Sequence, residues 1–308
     1  MTRRIILDCD PGHDDAMALL LAFGCPDIDL VAITTVAGNH PLEITTLNAR
    51  RICTLAGVKD VPIAAGCSGP LMRPLVTAPE IHGTTGLEGH EWGEPTVGIV
   101  PDHAVDLIVD QVMASNGDLT LVPVGPITNI AMAVRKEPRI AERVQEVVMM
   151  GGAFTRGNVT PAAEFNTYVD PEAAAIVFEA GWPVTMIGLE VTHMAGTTPE
   201  VFSRINAIGT PVSAAVYGML GFLREQVMRE TGIDTPHIHD ACCVAFVAQP
   251  DLVTLQDARV DVEVNGRFTS GMTVTDFGKN AKFNAKVGTA LDAPRFWDLF
   301  IDSLARVR

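Results

Sequence analysis

Basic clusters, paired cysteines and long apolar runs are all missing from this sequence, and each absence removes a class of function. The chain has 308 residues, with 22 Lys and Arg against 37 Asp and Glu, a formal net charge of −15. No basic run is longer than a residue pair. Nucleic-acid binding needs Lys and Arg clustered against phosphates, so a polyanion partner is excluded. Cys9, Cys25, Cys53, Cys67, Cys242 and Cys243 show no CxxC spacing and read as reduced, mostly buried thiols of a cytoplasmic protein. The apolar runs fall far short of the ~20 residues that span a bilayer. The first residues enter a strand with no secretory signal ahead of it. No repeat, low-complexity tract or polar linker divides residues 1–308, which read as one domain with a sizeable core, 47% of the chain being hydrophobic.

What is present is an alternation of short apolar strands and helices. IILDC precedes helical DDAMALLLAFG; DLVAITTV precedes PLEITTLNARRICTLAG; DLTLVPVG precedes ITNIAMAVRK. EVVMM and PEAAAIVFEAG follow, then PVTMIGLEV as a strand. Continuous apolar strands between helices indicate a mostly parallel sheet covered on both faces, the doubly wound α/β class. After Thr192 the pattern becomes helical, and residues 195–236 read as a cap over one edge. DARVDVEVNGRFTSGMTVTDF then reads as a β-hairpin turning at Asn265-Gly266. An amphipathic helix closes the chain.

The polar residues that need explaining fall where such strands end. Asp8, Asp10, Asp14 and Asp15 crowd into LDCDPGHDD at a strand-to-helix junction. Two charges ~4 Å apart repel by about 4 kcal/mol at an effective dielectric near 20. One acid suffices for a helix cap, so four require shared protons or a cation. Asn39 follows the second strand. Asn158, Glu164 and Asn166 lie in a long loop, a density of amide and carboxylate suited to a polyhydroxylated ligand. Asp170-Pro171 reads as an ordinary helix start, and Asp240 in TPHIHDACC could be another cap. The Gly-rich IHGTTGLEGHEWG has the look of a mobile flap carrying His82.

Taken together, LDCDPGHDDAMAL, VAGN, IHGTTGL, VGPITNIA, MGGAF, AEFNTYVDPEAA and HDA resemble the inosine–uridine-type nucleoside hydrolase family, in that family's order from residue 5 to about residue 245. The resemblance implies a Rossmann-like nucleoside hydrolase fold and hydrolysis of the N-glycosidic bond of a ribonucleoside to ribose and free base. It implies one Ca2+ held by Asp10, Asp15, the Val124 carbonyl and Asp240, an all-oxygen set suited to calcium. Asp8 would orient that group from behind. Asp10 would be the general base, and His239 would serve the departing base, which His82 and Gln226 would also contact. Asp14 and Asn39 would hold the 2′-hydroxyl, Asn166 the 3′-hydroxyl, and Asn158 and Glu164 the 5′ end. The main chain at Met150 would form the pocket floor. The family also implies a homodimer or homotetramer. IHGTTGL and VPVGP look most like its pyrimidine-preferring branch, and FLREQVMRETGIDTPHIHD has no Tyr or Trp after Phe222.

Two rival readings share parts of this pattern. Haloacid-dehalogenase-like magnesium phosphatases begin with a strand ending in DxD, which would make Asp8 a nucleophile. They also need Gly-Thr or similar after DxD, a basic residue for phosphate and a late acidic pair; this chain has Pro-Gly-His-Asp-Asp there and no matching late pair. A catalytically silent calcium-dependent nucleoside or sugar binder would keep the acids without needing Asp10 and His239.

Overall fold

The computed structural model describes residues 2–307. Its first half alternates strand and helix: β1 (Arg3–Cys9), α1 (His13–Gly24), β2 (Ile28–Thr35), α2 (Leu42–Leu55), β3 (Ile63–Ala65). Then come α3 (Pro79–His82), α4 (Ala104–Ala114), β4 (Leu119–Pro123), α5 (Thr128–Lys136) and β5 (Glu146–Met150). The second half holds α6 (Phe165–Val169), α7 (Pro171–Glu179), β6 (Val184–Ile187), α8 (Leu189–Thr192), α9 (Pro199–Ile208), α10 (Pro211–Thr231) and α11 (Ala241–Ala248). It ends with β7 (Val253–Val262), β8 (Thr273–Asp276), β9 (Ala285–Leu291) and α12 (Ala293–Leu304).

The strands form one sheet in the order β3-β2-β1-β4-β5-β6-β9-β7-β8. All pairings from β3 to β9 are parallel, and β7 runs antiparallel to both of its neighbours. Successive side chains of β1 enter opposite layers: Ile5, Leu7 and Cys9 join one apolar core, and Ile6 joins the other. Both faces of the sheet are therefore covered, as its near-continuous apolar strands require. Strand order reverses between β1 and β4, so the chain leaves the carboxyl ends of these two strands in opposite directions. The crevice opened there is where ligands bind in such sheets. Asp10 follows β1, and Val124 follows β4.

Three sequence expectations need correction. The strand read through Val191 ends at Ile187, because Gly188 starts the helical turn α8, whose Thr192 reaches His239. The late hairpin exists, but Asn265-Gly266 is not its tight turn. The β7–β8 register closes at Val262 and Thr273, leaving a long loop in which the Glu263 carboxylate accepts from the main chain of Asn265 and Gly266. Finally, β9, unrecognised in KVGTAL, inserts between β6 and the hairpin and joins it to the parallel sheet.

Candidate active site

The acids at the switch point are placed by main-chain geometry. Gly12 caps α1, and the first-turn Asp15 carboxylate accepts from Asp10 N at 2.9 Å and Gly12 N at 3.0 Å. Asp15, rather than Asp14, is thus the acid that closes this helix start. Asp10 accepts from Asn39 N at 2.6 Å. A Cβ on Gly38 would lie 2.1 Å from one of its carboxylate oxygens, and a Cβ on Gly125 would lie 2.3 Å from the other. VAGN and VGPIT therefore carry glycine where they do because Asp10 fills the space of a side chain. Asp240 stands at the start of α11 but makes no side-chain cap bond. Its carboxylate turns to the acids instead, and single oxygens of Asp14, Asp15 and Asp240 lie within 4.8 Å of one another.

All of these acids are buried. Burial, reinforced by neighbouring carboxylates, raises Asp15 to about 7 and pushes Asp10 and Asp240 well above the usual range. Asp14 is also raised by burial, and its Oδ1 is buried without a partner among the described residues. The expected ligand set can be tested against this geometry. It supplies hard oxygen donors, an orphaned buried oxygen beside them, and a Val124 carbonyl with one lone pair engaged by Asn166 Nδ2 at 2.8 Å. Such a nest fits a divalent cation that takes oxygen ligands. The tightest grouping includes Asp14, while the Asp10 carboxylate is anchored to Asn39. The Asp8 carboxylate accepts from Thr34 Oγ1 at 2.6 Å and Asn129 Nδ2 at 2.8 Å and so ties strands to α5, while the Asp8 carbonyl accepts from Val124 N at 2.8 Å.

Above the acids opens a cavity of 1110 Å³. Of the expected site residues, Asp14, Asn39, His82, Val124, Met150, Asn158, Glu164, Asn166, His239 and Asp240 all line it, and Asp10 and Asp15 lie just beneath. Asn166 is held from below, its amide donating to the carbonyls of Val124 and Met150. Glu164 caps α6 and also accepts from Gly152 N at 2.9 Å. Gly152 has φ 76°, which accounts for the second glycine of MGGAF. Asn158 Oδ1 accepts from Phe165 N.

Gln226 is the exception. Its amide oxygen accepts from Arg229, and α10 turns Leu223, Val227, Glu230 and Thr231 to the cavity instead. The helix is part of the cap expected over residues 195–236, but Gln226 lies on the edge of the cavity-facing stripe.

Sequence reasoning missed His193, His237 and Glu190. Ring centroids of His193, His237 and His239 lie 5.0–5.8 Å apart on the cavity wall. Burial lowers His237 to about 4, and His239 falls well below the ordinary imidazole value through burial and then its histidine neighbours. Thr192 Oγ1 sits 2.7 Å from His239 Nδ1 and fixes the ring. The HxH spacing in HIHD, which puts His237 and His239 on one side of an extended segment, was the available signal. Glu190 accepts from the main chain of Phe154 and Thr155 and so anchors the loop that carries Asn158.

Residues 5–298 match the family described as inosine-uridine preferring nucleoside hydrolase. The inosine-uridine preferring nucleoside hydrolase of Leishmania major is 49% identical over 313 residues, spanning 100% of this chain and 99% of that protein. The pyrimidine-specific ribonucleoside hydrolase RihB of Escherichia coli is 44% identical, covering 96% of this chain and 95% of its own. Among solved structures, a purine-preferring ribonucleoside hydrolase from Gardnerella vaginalis superposes with a TM-score of 0.93 at 33% identity, over 98% of each chain.

Proposed function

Because this chain belongs to the inosine-uridine preferring nucleoside hydrolase family, and is thus an N-glycosidase of ribonucleosides, we propose that it works with calcium and favours uridine and cytidine. The observation that carries the reading is the nest of buried carboxylates at the switch point, opening directly beneath a cavity lined with amides. Asp10, Asp15, Asp240 and the Val124 carbonyl would hold the ion, which when bound supplies a lowered water pKa and a docking point for a vicinal diol.

The chain's own residues account for the rest. Asp14 and Asn39 bind the 2′-hydroxyl, Asn166 the 3′-hydroxyl, and Asn158 the 5′ end, beside Glu164, whose carboxylate holds the main chain of Gly152, Asn166 and Thr167. Cleavage places positive charge on the sugar as an oxocarbenium-like transition state. Buried carboxylates around it stabilise that charge more strongly than water could. Asp10, held rigidly between Gly38 and Gly125, takes the proton of the attacking water. His239 lies on the cavity wall with Nδ1 engaged by Thr192, which leaves Nε2 to serve the departing base.

Support for pyrimidines is the aliphatic wall that α10 presents, Leu223 and Val227, together with the similarity to a pyrimidine-specific relative. Two measurements test the proposal. Turnover should vanish on exhaustive chelation and return with calcium, and kcat/KM should rank uridine and cytidine above inosine and adenosine. Undiminished cleavage after chelation removes the ion; a purine ranked first removes the preference.

A further inference from the structure

The cavity wall carries three imidazoles, of which the proposed reaction uses one. His239 is tied through Nδ1 to Thr192 Oγ1 at 2.7 Å. His193 and His237 line the same wall, and among the described residues neither ring hydrogen-bonds to the protein. Their main chain is held all the same. His237 forms a β-bridge with Gly196, and Thr197 N donates to the Pro236 carbonyl at 2.8 Å. The turn after α8, which carries His193, is thereby clamped against the segment HIHD. Alternate residues of an extended segment share a side, so His237 and His239 stand together opposite His193.

The spacing of the rings is that of ligands around one ion. The centroids of His193 and His237 are 5.0 Å apart, and each lies 5.8 Å from that of His239. The centre of this triangle is about 3.2 Å from every centroid, and a zinc–nitrogen bond of about 2.0–2.1 Å plus ~1.2 Å of ring gives the same distance. One ion can therefore reach all three rings with the main chain where it is. Only ring rotation is needed, because among the described residues the three ligand atoms already within 4.8 Å of one another are those of Asp14, Asp15 and Asp240. No hydrogen bond holds His193 or His237 against turning about χ2, and a half turn puts a nitrogen where a carbon stood. His239 needs no such change. A hydroxyl accepts as well as donates, so Nδ1–H can stay on Thr192 while Nε2 ligates, the usual support of a metal-bound imidazole. Burial lowers His193 and His237, the latter to about 4, which leaves their lone pairs available at neutral pH.

We propose that His193, His237 and His239 form a second metal site, for a divalent ion that takes nitrogen ligands, with zinc as its type. Imidazole suits zinc, copper and nickel, whereas calcium takes oxygen, so this site and the carboxylate nest select different ions. A water completes the tetrahedral set. Bound zinc occupies the His239 Nε2 that the nucleoside reading leaves for the departing base, and so inhibits. The inhibition rests on that reading, while the binding does not.

Zinc titrated into the calcium-saturated enzyme tests the site. One zinc should bind per chain without releasing calcium, and nitrogen-15 NMR should show the imidazole signals of His193, His237 and His239 moving together. His193→Ala and His237→Ala should each weaken zinc by more than the ~10–100-fold that loss of an outer-shell partner costs, and Thr192→Val should fall within that range. Each enzyme is compared with its own zinc-free rate. In the wild type, zinc should suppress uridine and inosine cleavage more than that of p-nitrophenyl riboside, whose leaving group needs no proton. In His237→Ala the same zinc concentration should suppress none of them. Zinc that displaces calcium, or that leaves the three wild-type imidazole signals unmoved, overturns the site even if no variant folds. Zinc held by the imidazoles with uridine turnover intact overturns the inhibition, and a wild type that cleaves no nucleoside would instead fault the reading beneath it.

Discussion

Replacing Glu164 with alanine separates two roles that the sequence could not distinguish. The family resemblance implied a contact with the 5′ end of the sugar. In the fold, its carboxylate is buried and accepts from three main-chain N–H groups: Asn166 at 2.9 Å, Gly152 at 2.9 Å and Thr167 at 3.2 Å. Leaving a buried donor unpaired costs about 1–3 kcal/mol, but the cavity lets water reach some of these, so a total near 3 kcal/mol is a reasonable expectation. The strain falls on Asn166, whose amide bridges the carbonyls of Val124 and Met150. If a comparable amount is lost from the transition state, kcat/KM falls about a hundredfold. The assay compares wild type and Glu164→Ala on inosine and uridine and on their 5′-deoxy analogues. A scaffolding role predicts the same penalty on both substrate sets, with a lowered Tm. A penalty that collapses on the 5′-deoxy compounds, with Tm unchanged, would refute the scaffolding argument and restore Glu164 as a plain sugar ligand.

Further outcomes follow from the same geometry. Burial raises the Glu164 carboxyl from 4.5 to about 6, so the folded chain keeps a proton that the unfolded chain releases. That stabilisation is complete below pH 4.5 and lost as pH rises through 6. Glu164→Gln cannot titrate, so between pH 4 and 8 its stability should gain about 2 kcal/mol on the wild type; a constant gap in denaturant titrations would count against the burial argument. Asp10→Asn should keep the fold and lose a hundredfold or more of kcat, the usual scale for a general base, and near-normal turnover would remove it from that role. His239→Ala should slow uridine and inosine more than p-nitrophenyl riboside, and an equal loss on all three would mean that it does not assist the leaving base. Gln226→Ala should leave kcat/KM for every nucleoside within about twofold, because its amide is engaged by Arg229 outside the cavity; a larger change would place it in the binding surface.

The parallel core was legible because its strands are buried on both faces and its apolar runs are bounded by helix starts. Less legible was β9, which is interrupted by Gly288 and carries exposed Lys286 and half-buried Thr289 and Ala290. It becomes a strand because β6 and β7 both pair with it, a tertiary fact without a local signal. Asn265-Gly266 misled for the converse reason: a strong local turn signal was overridden by Glu263, which wraps the main chain into a longer loop. In the site, the residues named through amide density, Asn158, Glu164 and Asn166, all face the cavity, whereas of the crowded acids Asp14 faces it, Asp10 and Asp15 lie beneath, and Asp8 turns to Thr34 and Asn129. Gln226 was misassigned because helix phase, and not chemistry, decides which α10 residues face inward. The stripe of Leu223, Val227, Glu230 and Thr231 is the one that lines the cavity.

That contrast locates the specificity of the enzyme. Three acids of the site are held by main-chain groups: Asp10 by Asn39 N, Asp15 by the turn at Gly12, and Glu164 by three amides. Such positions cannot drift without breaking the switch point itself, so the ribose end of the site is rigid. The side of the cavity proposed to take the base is built differently, from side chains on α10, the His82 segment and the imidazoles near His239. Among the described residues there, the His82 ring is the one that meets a main-chain N–H, that of His13. Substitutions along the α10 stripe should therefore change which base is preferred while sparing ribose binding. Measured as product inhibition by free ribose, Leu223 and Val227 variants should leave the inhibition constant unchanged as base ranking shifts. A parallel loss of ribose affinity would show that the two halves are mechanically one.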